Sequence, residues 1–192
     1  MSWYLEQGAE ADVVVSSRIR LARNLSDTNF PWRLTAAEAE QVTDRVHDAF
    51  STVAEVSGRG LINVPLQSLD DINKLALAER RLISRNMLKA DLPRSLLLFS
   101  DEKSGVLVNE EDHLRIQSMR AGFALEEALH EADKLEAALG EELPFAYDEK
   151  LGYLTTCPTN TGTGLRVSVM LHVPLLMRKN LVDQLSKRLA QA

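Results

Sequence analysis

A single cysteine, Cys157, is the only thiol in the 192 residues. An intrachain disulfide is therefore impossible, and a four-cysteine zinc site is excluded. Positive charge is in the minority: 22 Lys and Arg against 28 Asp and Glu leave a net charge of −6. That balance argues against generic nucleic-acid binding through a basic surface. No apolar run approaches the roughly 18 residues a membrane-spanning helix needs. The start, Met1-Ser2-Trp3-Tyr4-Leu5-Glu6, has neither the basic segment nor the apolar segment of a secretory signal. These absences lead to the expectation of a cytoplasmic protein that binds neither membrane nor nucleic acid. Internal repeats and low-complexity segments are absent too. What remains is 45% hydrophobic and 26% charged, the composition of an ordinary globular chain long enough to bury a sizeable core.

The pattern along the chain alternates between strand and helix signals. Val13 to Arg20 reads as a strand, and Asn29-Phe30-Pro31-Trp32 as a turn. Thr35 and Glu38 form a capping box that opens a helix. Val42, Val46, Phe50 and Val53 continue it at helical spacing, and Gly58 and Gly60 end it. A second helix is predicted from about Ser68 to Ser84, with Ile72, Leu75 and Leu82 facing the core. Ser95 to Phe99 and Gly105 to Val108 read as a hairpin around a polar turn, and Leu114 to Ser118 as a third strand. Leu125, Leu129, Ala132, Leu135 and Leu139 mark a helix that stops near Gly140. Gly152 to Thr156 and Arg166 to Val173 are strand candidates flanking the loop from Cys157 to Gly164. A last helix is predicted from Pro174 through Leu189 to the end. Hairpins and separate long helices, without regular βαβ alternation, imply an α+β fold. Its antiparallel sheet is flanked by helices, which are expected on one side. The last helix carries no C-terminal cap, which reads as an incomplete domain.

Three segments carry candidate chemistry. In Ser16-Ser17-Arg18-Ile19-Arg20, strand alternation puts Arg18 and Arg20 on one face. Two guanidinium forks there form either a phosphate clamp or a solvated strand edge. Asn109-Glu110-Glu111-Asp112-His113-Leu114-Arg115 gathers four ionisable residues before a strand. They fit a cation-orienting or general-base site, magnesium binding, or an acidic surface turn. A lone histidine such as His113 is more often a structural hydrogen-bonder. Thr155-Thr156-Cys157-Pro158-Thr159-Asn160-Thr161-Gly162-Thr163-Gly164-Leu165-Arg166 is rich in hydroxyls and glycine. It could cradle an anion or simply join two strands, and it is neither a Walker A loop nor a G-x-G-x-x-G turn.

In this order the three segments resemble the signature blocks of guanidino (phosphagen) kinases. The matching stretches are Ser16 to Asn24, Asn109 to Gln117, Gly152 to Asn160 and Gly162 to Met170. Within that superfamily the chain is most similar to the bacterial protein-arginine kinases: the arginine pair comes soon after the start, and Ala146-Tyr147-Asp148-Glu149 leads into Gly152-Tyr153-Leu154. The resemblance implies ATP-dependent phosphorylation of arginine guanidinium groups, with ATP and Mg2+ and with arginine-bearing proteins as substrates. It implies that Arg18, Arg20, Arg115 and Arg166 hold the ATP phosphates and converge in space. Ser16, Ser17 and Ile19, and Val167, Ser168, Val169 and Met170, belong to the same nucleotide-contacting blocks. Arg81, in Glu79-Arg80-Arg81-Leu82-Ile83-Ser84, stands where the family often has a histidine near the nucleotide. Glu111 matches the carboxylate that grips the substrate guanidinium and acts as base. Cys157 matches the cysteine beside that guanidinium, where a cation favours thiolate. No residue is assigned as a metal ligand.

The family pattern continues past this sequence with a further phosphate-binding arginine, a catalytic-loop glutamate and a phosphoarginine-binding domain. Residues 1–192 are therefore expected to be a partial catalytic domain with little activity alone. Expected partners are an activator protein, a complementary second half or a second copy. A non-catalytic remnant or half of a split kinase, acting by binding a nucleotide or partner, is the alternative.

Overall fold

A computed structural model describes residues 2–88 and 92–191. Its centre is a six-stranded sheet in which every neighbouring pair runs antiparallel. In chain order the elements are β1 (Val14–Arg23), α1 (Ala36–Ser57), β2 (Leu61–Pro65), α2 (Asp71–Glu79), β3 (Ser95–Phe99), β4 (Ser104–Val108), β5 (Leu114–Ala121), α3 (Leu125–Glu142), β6 (Tyr147–Asp148), β7 (Gly152–Tyr153), β8 (Leu165–Leu171), α4 (Pro174–Arg178) and α5 (Val182–Leu189). The sheet order is β2-β3-β4-β5-β1-β8, and β6 pairs with β7 in a separate ribbon.

Strand alternation separates the two faces of the sheet. Ile19 and Leu21 of β1, Leu97 and Phe99 of β3, Val106 and Val108 of β4 and Leu114 and Ile116 of β5 all enter one core. Val42, Val46 and Phe50 of α1 and Ala132, Leu135 and Leu139 of α3 close that core from the other side, as the helical spacing predicts. The capping box at Thr35 is formed, with the Glu38 amide donating to the Thr35 hydroxyl and the Glu38 carboxylate accepting from the Thr35 amide. Gly58 ends α1 in the left-handed region, at φ 64°. The α3 helix runs past Gly140 to Glu142, because Leu143, which precedes Pro144, is held extended.

The opposite face is covered over only half its width. Leu96, Leu98 and Leu107 there meet Leu66, Leu82, Ile83 and Met87. The covering segment is not the long helix predicted from Ser68 to Ser84. Asp70 caps α2 by accepting from the Asn73 amide, so the helix begins at Asp71. Arg81 takes a left-handed φ of 64° just after its end. That break swings Leu82 and Ile83 under the sheet, where they are buried, while Ile72 and Leu75 are 80% and 51% exposed. Two other expectations are corrected. The strand predicted over Gly152 to Thr156 is paired only at Gly152–Tyr153, because Thr156 turns away to bond a side chain. The last helix is broken into α4 and α5 by Asn180 at φ 55°, and its predicted end at Ala192 lies outside the described residues.

Phe50 and Phe99 join α1 to the sheet, with ring centroids 4.8 Å apart and both side chains fully buried. Phe50→Ala is expected to lower unfolding free energy by about 3–5 kcal/mol. Urea denaturation followed by circular dichroism measures this, and a loss below about 1 kcal/mol would mean that the helix layer is not packed as described.

Candidate active site

The rest of the second face belongs to β5, β1 and β8, and on β5 Gln117 and Met119 are still buried, with Gln117 donating to Leu82 O at 3.0 Å. Residues opposite one another in an antiparallel ladder share a face. Arg20 lies opposite Arg166 on one side and Gln117 on the other, and Arg18 lies opposite Ser168 and Met119. Arg115 follows on the same face, across from Ala22. Arg81 is delivered to this surface by the break after α2. It borders a cleft of about 180 Å³ shared with Ser16, Arg18, Met119, Ser168 and Met170, with Val169 between the last two. The structure thus brings Arg18, Arg20, Arg81, Arg115 and Arg166 together. The alternation also turns Ser17, Ile19, Val167 and Val169 toward the helix side. Ile19 is buried in the core. The Ser17 hydroxyl donates to Gly122 O at 2.8 Å and accepts from the Ala124 amide at 3.0 Å.

The gathered cations perturb one another. Arg20 is pulled down to about 10 by burial first, then by Arg18, Arg115 and Arg166. Arg18 is lowered by burial and by Arg81 and Arg115. Both remain charged at neutral pH. Arg20 Nε is buried without a hydrogen-bond partner among the described residues. Arg18 Nε, in contrast, donates to the Ser168 hydroxyl at 3.3 Å.

A buried carboxylate anchors one edge of this surface. Glu110 pairs with Arg115, and its other oxygen accepts from the Ser84 hydroxyl. Glu111 points outward, half-exposed, with Arg115 Nη2 3.5 Å from its carboxylate. Sequence reasoning singled out Glu111 and gave Glu110 no role. The two are alike in sequence, and only burial separates them.

The next two residues are structural. Asp112 accepts from Asn24 Nδ2 and from the Thr156 amide, each at 2.7 Å. This joins the turn carrying Glu111 to the loop carrying Cys157. Asn24 also accepts from the His113 amide at 2.9 Å. The Leu25 amide donates to His113 Nδ1 at 3.0 Å, which leaves Nε2–H to donate to Asn29 O at 2.9 Å. His113 is the structural hydrogen-bonder expected, not an acid–base group.

Cys157 is a free, half-buried thiol 3.0 Å from the Thr159 hydroxyl. Its loop returns to β1 at Gly164, whose φ is +63°. A Cβ there would lie 2.6 Å from both Ala22 O and Arg23 Nη1, so glycine is required. Arg23 is itself buried. It bonds Thr163 O and Glu136 at 3.0 and 2.9 Å and stacks 3.4 Å from the Tyr153 ring centre.

Among the described residues no group of three or more Asp, Glu, His or Cys is placed to hold a metal ion. No helix among them is long and apolar enough to cross a membrane.

The arginine face, the carboxylate turn and the cysteine loop lie within a chain of the guanidino-phosphotransferase class. The chain belongs to the ATP:guanido phosphotransferase family, whose C-terminal catalytic domain model matches residues 41–192. The protein-arginine kinase of Halothermothrix orenii is 43% identical over 187 residues, covering 97% of this chain and 52% of that protein. The protein-arginine kinase of Bacillus subtilis is 40% identical, covering 96% and 50%. The chain thus spans about half the length of the curated relatives it matches. The duplicated taurocyamine kinase of Schistosoma mansoni, solved with transition-state analog components, superposes with a TM-score of 0.78 at 25% identity, over 95% of this chain and 26% of that one. A lombricine kinase superposes at 0.75 and 25% identity, over 92% and 52%.

The His113 arrangement carries a pH signature. Burial holds its pKa below the ordinary histidine value. Between the two values the unfolded chain binds a proton that the folded chain does not, so stability rises with pH through this window. Unfolding free energy should fall as pH drops from about 7 to 5 around the ordinary value of about 6.5. His113→Gln should be less stable at pH 7.5 and should show a flatter dependence. Equal slopes for both proteins would contradict the buried neutral imidazole.

Proposed function

We propose that the chain carries the phosphate-binding and guanidinium-binding parts of an ATP-dependent protein-arginine kinase. The supporting observation is the arginine surface on β5, β1 and β8, where Arg18, Arg20, Arg115 and Arg166 share one sheet face and Arg81 borders it. Kinship to relatives named protein-arginine kinase supports arginine in proteins as the substrate, and a cytoplasmic location goes with that reading.

In this proposal the triphosphate lies across Arg18, Arg20, Arg81, Arg115 and Arg166. Phosphoryl transfer passes through a transition state with charge spread over equatorial oxygens, so neutralisation and in-line positioning supply most of the catalysis. Magnesium arrives on the nucleotide, in keeping with its habit of binding substrate phosphates and water. It would add charge neutralisation at the phosphates. The substrate guanidinium sits between Glu111 and Cys157. Glu111 aligns one nitrogen and accepts its proton as that nitrogen attacks the γ-phosphorus. A P–N bond forms, the bond from the γ-phosphorus to the bridging oxygen breaks, and ADP leaves with the electron pair. Glu110 keeps Arg115 aimed at the phosphates. Cys157 supplies local polarity and no covalent intermediate.

Two variants separate the roles. Arg20→Ala should weaken MgATP binding by about ten- to a hundredfold, the scale of one lost charged hydrogen bond, as read by calorimetry. Glu111→Gln should keep that affinity within about threefold yet lower formation of acid-labile phosphoarginine on an arginine-bearing protein at least about a hundredfold. Unchanged nucleotide affinity in the first, or near-normal transfer in the second, would refute the assignment.

A further inference from the structure

Beside the Cys157 loop, at the C-terminal end of α3, lies an open groove of about 740 Å³ lined by Glu136, Glu141, Phe145, Tyr147 and Tyr153. Its aromatic wall is ordered. Phe145 and Tyr147 each meet Tyr153 edge-on, with centroids 6.4 and 5.2 Å apart. The combination of ring faces and carboxylates is the chemistry that holds a cationic side chain. The molecule already uses it there once: Arg23 lies 3.4 Å from the Tyr153 ring centre and pairs with Glu136 at 2.9 Å. The remaining capacity is free. Tyr147 is 60% exposed, and Glu141 is exposed with no ion pair among the described residues. Glu142 is exposed at the end of α3, and Asp148 and Glu149 are exposed beside Lys150 between β6 and β7.

The groove lies on the helix side of the sheet, where Tyr153 both lines it and opens the Cys157 loop. Tyr153 and Gly162 exchange backbone hydrogen bonds of 2.8 and 3.1 Å, and the loop between them carries Cys157. A polypeptide offering an arginine to Glu111 and Cys157 has neighbouring residues to place, and this acidic, aromatic surface adjoins that loop.

We propose that the groove is a second substrate subsite, taking the side chain of a lysine or arginine near the target arginine in a substrate polypeptide. The proposal rests on the protein-arginine reading of the site. It adds a determinant of specificity: substrates with a second positive charge are preferred, whereas a free guanidino compound has nothing to place there.

The test uses two fluorescently labelled peptides, one with an arginine and a nearby lysine, the other with that lysine replaced by glutamine. Anisotropy at low salt reads their affinity for the chain. The dibasic peptide should bind about three- to tenfold tighter, the scale of an exposed cation–π contact joined by one carboxylate. Tyr147→Ala and Glu141→Gln should each reduce the difference, while Tyr147→Phe, which keeps the ring, should preserve it. Both positions are exposed, and circular dichroism checks the fold of each variant. MgATP affinity should be unchanged in all three. No preference in the parent chain, or a preference that survives both Tyr147→Ala and Glu141→Gln, overturns the proposal. Failure of the kinase reading shows separately, as MgATP binding indifferent to Arg20→Ala, so the two results are distinguishable.

Discussion

The repulsion among Arg18, Arg20, Arg81, Arg115 and Arg166 is the constraint around which the rest of the chain is arranged. Burial first, and then the neighbouring arginines, lower Arg18 and Arg20. They stay together because their backbones cannot separate. The ladder of β1 with β5 and β8 fixes the spacing, and the same strands send Ile19, Leu21, Leu114 and Ile116 into the helix-covered core. Moving the arginines apart would require pulling that core open. Apolar burial on one face thus holds an electrostatically unfavourable arrangement on the other, and in the proposed function this preorganises it for the triphosphate. Glu110 offsets part of the repulsion at Arg115.

The half-covered second face follows from the same constraint. The segment from Leu66 to Leu88 shields β2, β3 and β4 and stops at the border of the arginines, where Arg81 is the residue that turns. The Glu111 turn and the Cys157 loop are distant in sequence and are brought together by one carboxylate, Asp112, which accepts from Asn24 and from the Thr156 amide. Groups that support reacting residues need to be rigid rather than reactive. Asp112, His113 and Arg23 have that character: all are buried, and all are hydrogen-bonded to backbone or to partners on other elements.

Much of this was legible in the sequence, for identifiable reasons. The period-two placement of Arg18 and Arg20 around Ile19 is a local property, as is the Thr35–Glu38 cap, and both appear as read. What was missed depends on tertiary contacts. Nothing in the adjacent pair Glu110 and Glu111 tells which is buried against Ser84. The span from Asp71 to Ser84 has a helical apolar pattern, yet left-handed Arg81 divides it and leaves Ile72 in solvent. Thr155 and Thr156 have strand propensity, but the Asp112 side chain captures the Thr156 amide instead of a neighbouring strand. Asn180 splits the last helix by the same left-handed conformation that asparagine tolerates better than most residues.

The arginine Nε–H resonances of the chain, followed by nuclear magnetic resonance while MgATP is added, test the central claim most directly. The account predicts that the signals of Arg18, Arg20, Arg81, Arg115 and Arg166 shift together with one saturation curve. Arg23, held by Glu136, and Arg59, held by Asp101 and Glu131, should stay in place. Shifts confined to arginines outside the β5-β1-β8 face, or saturable binding that leaves those five unmoved, would contradict it.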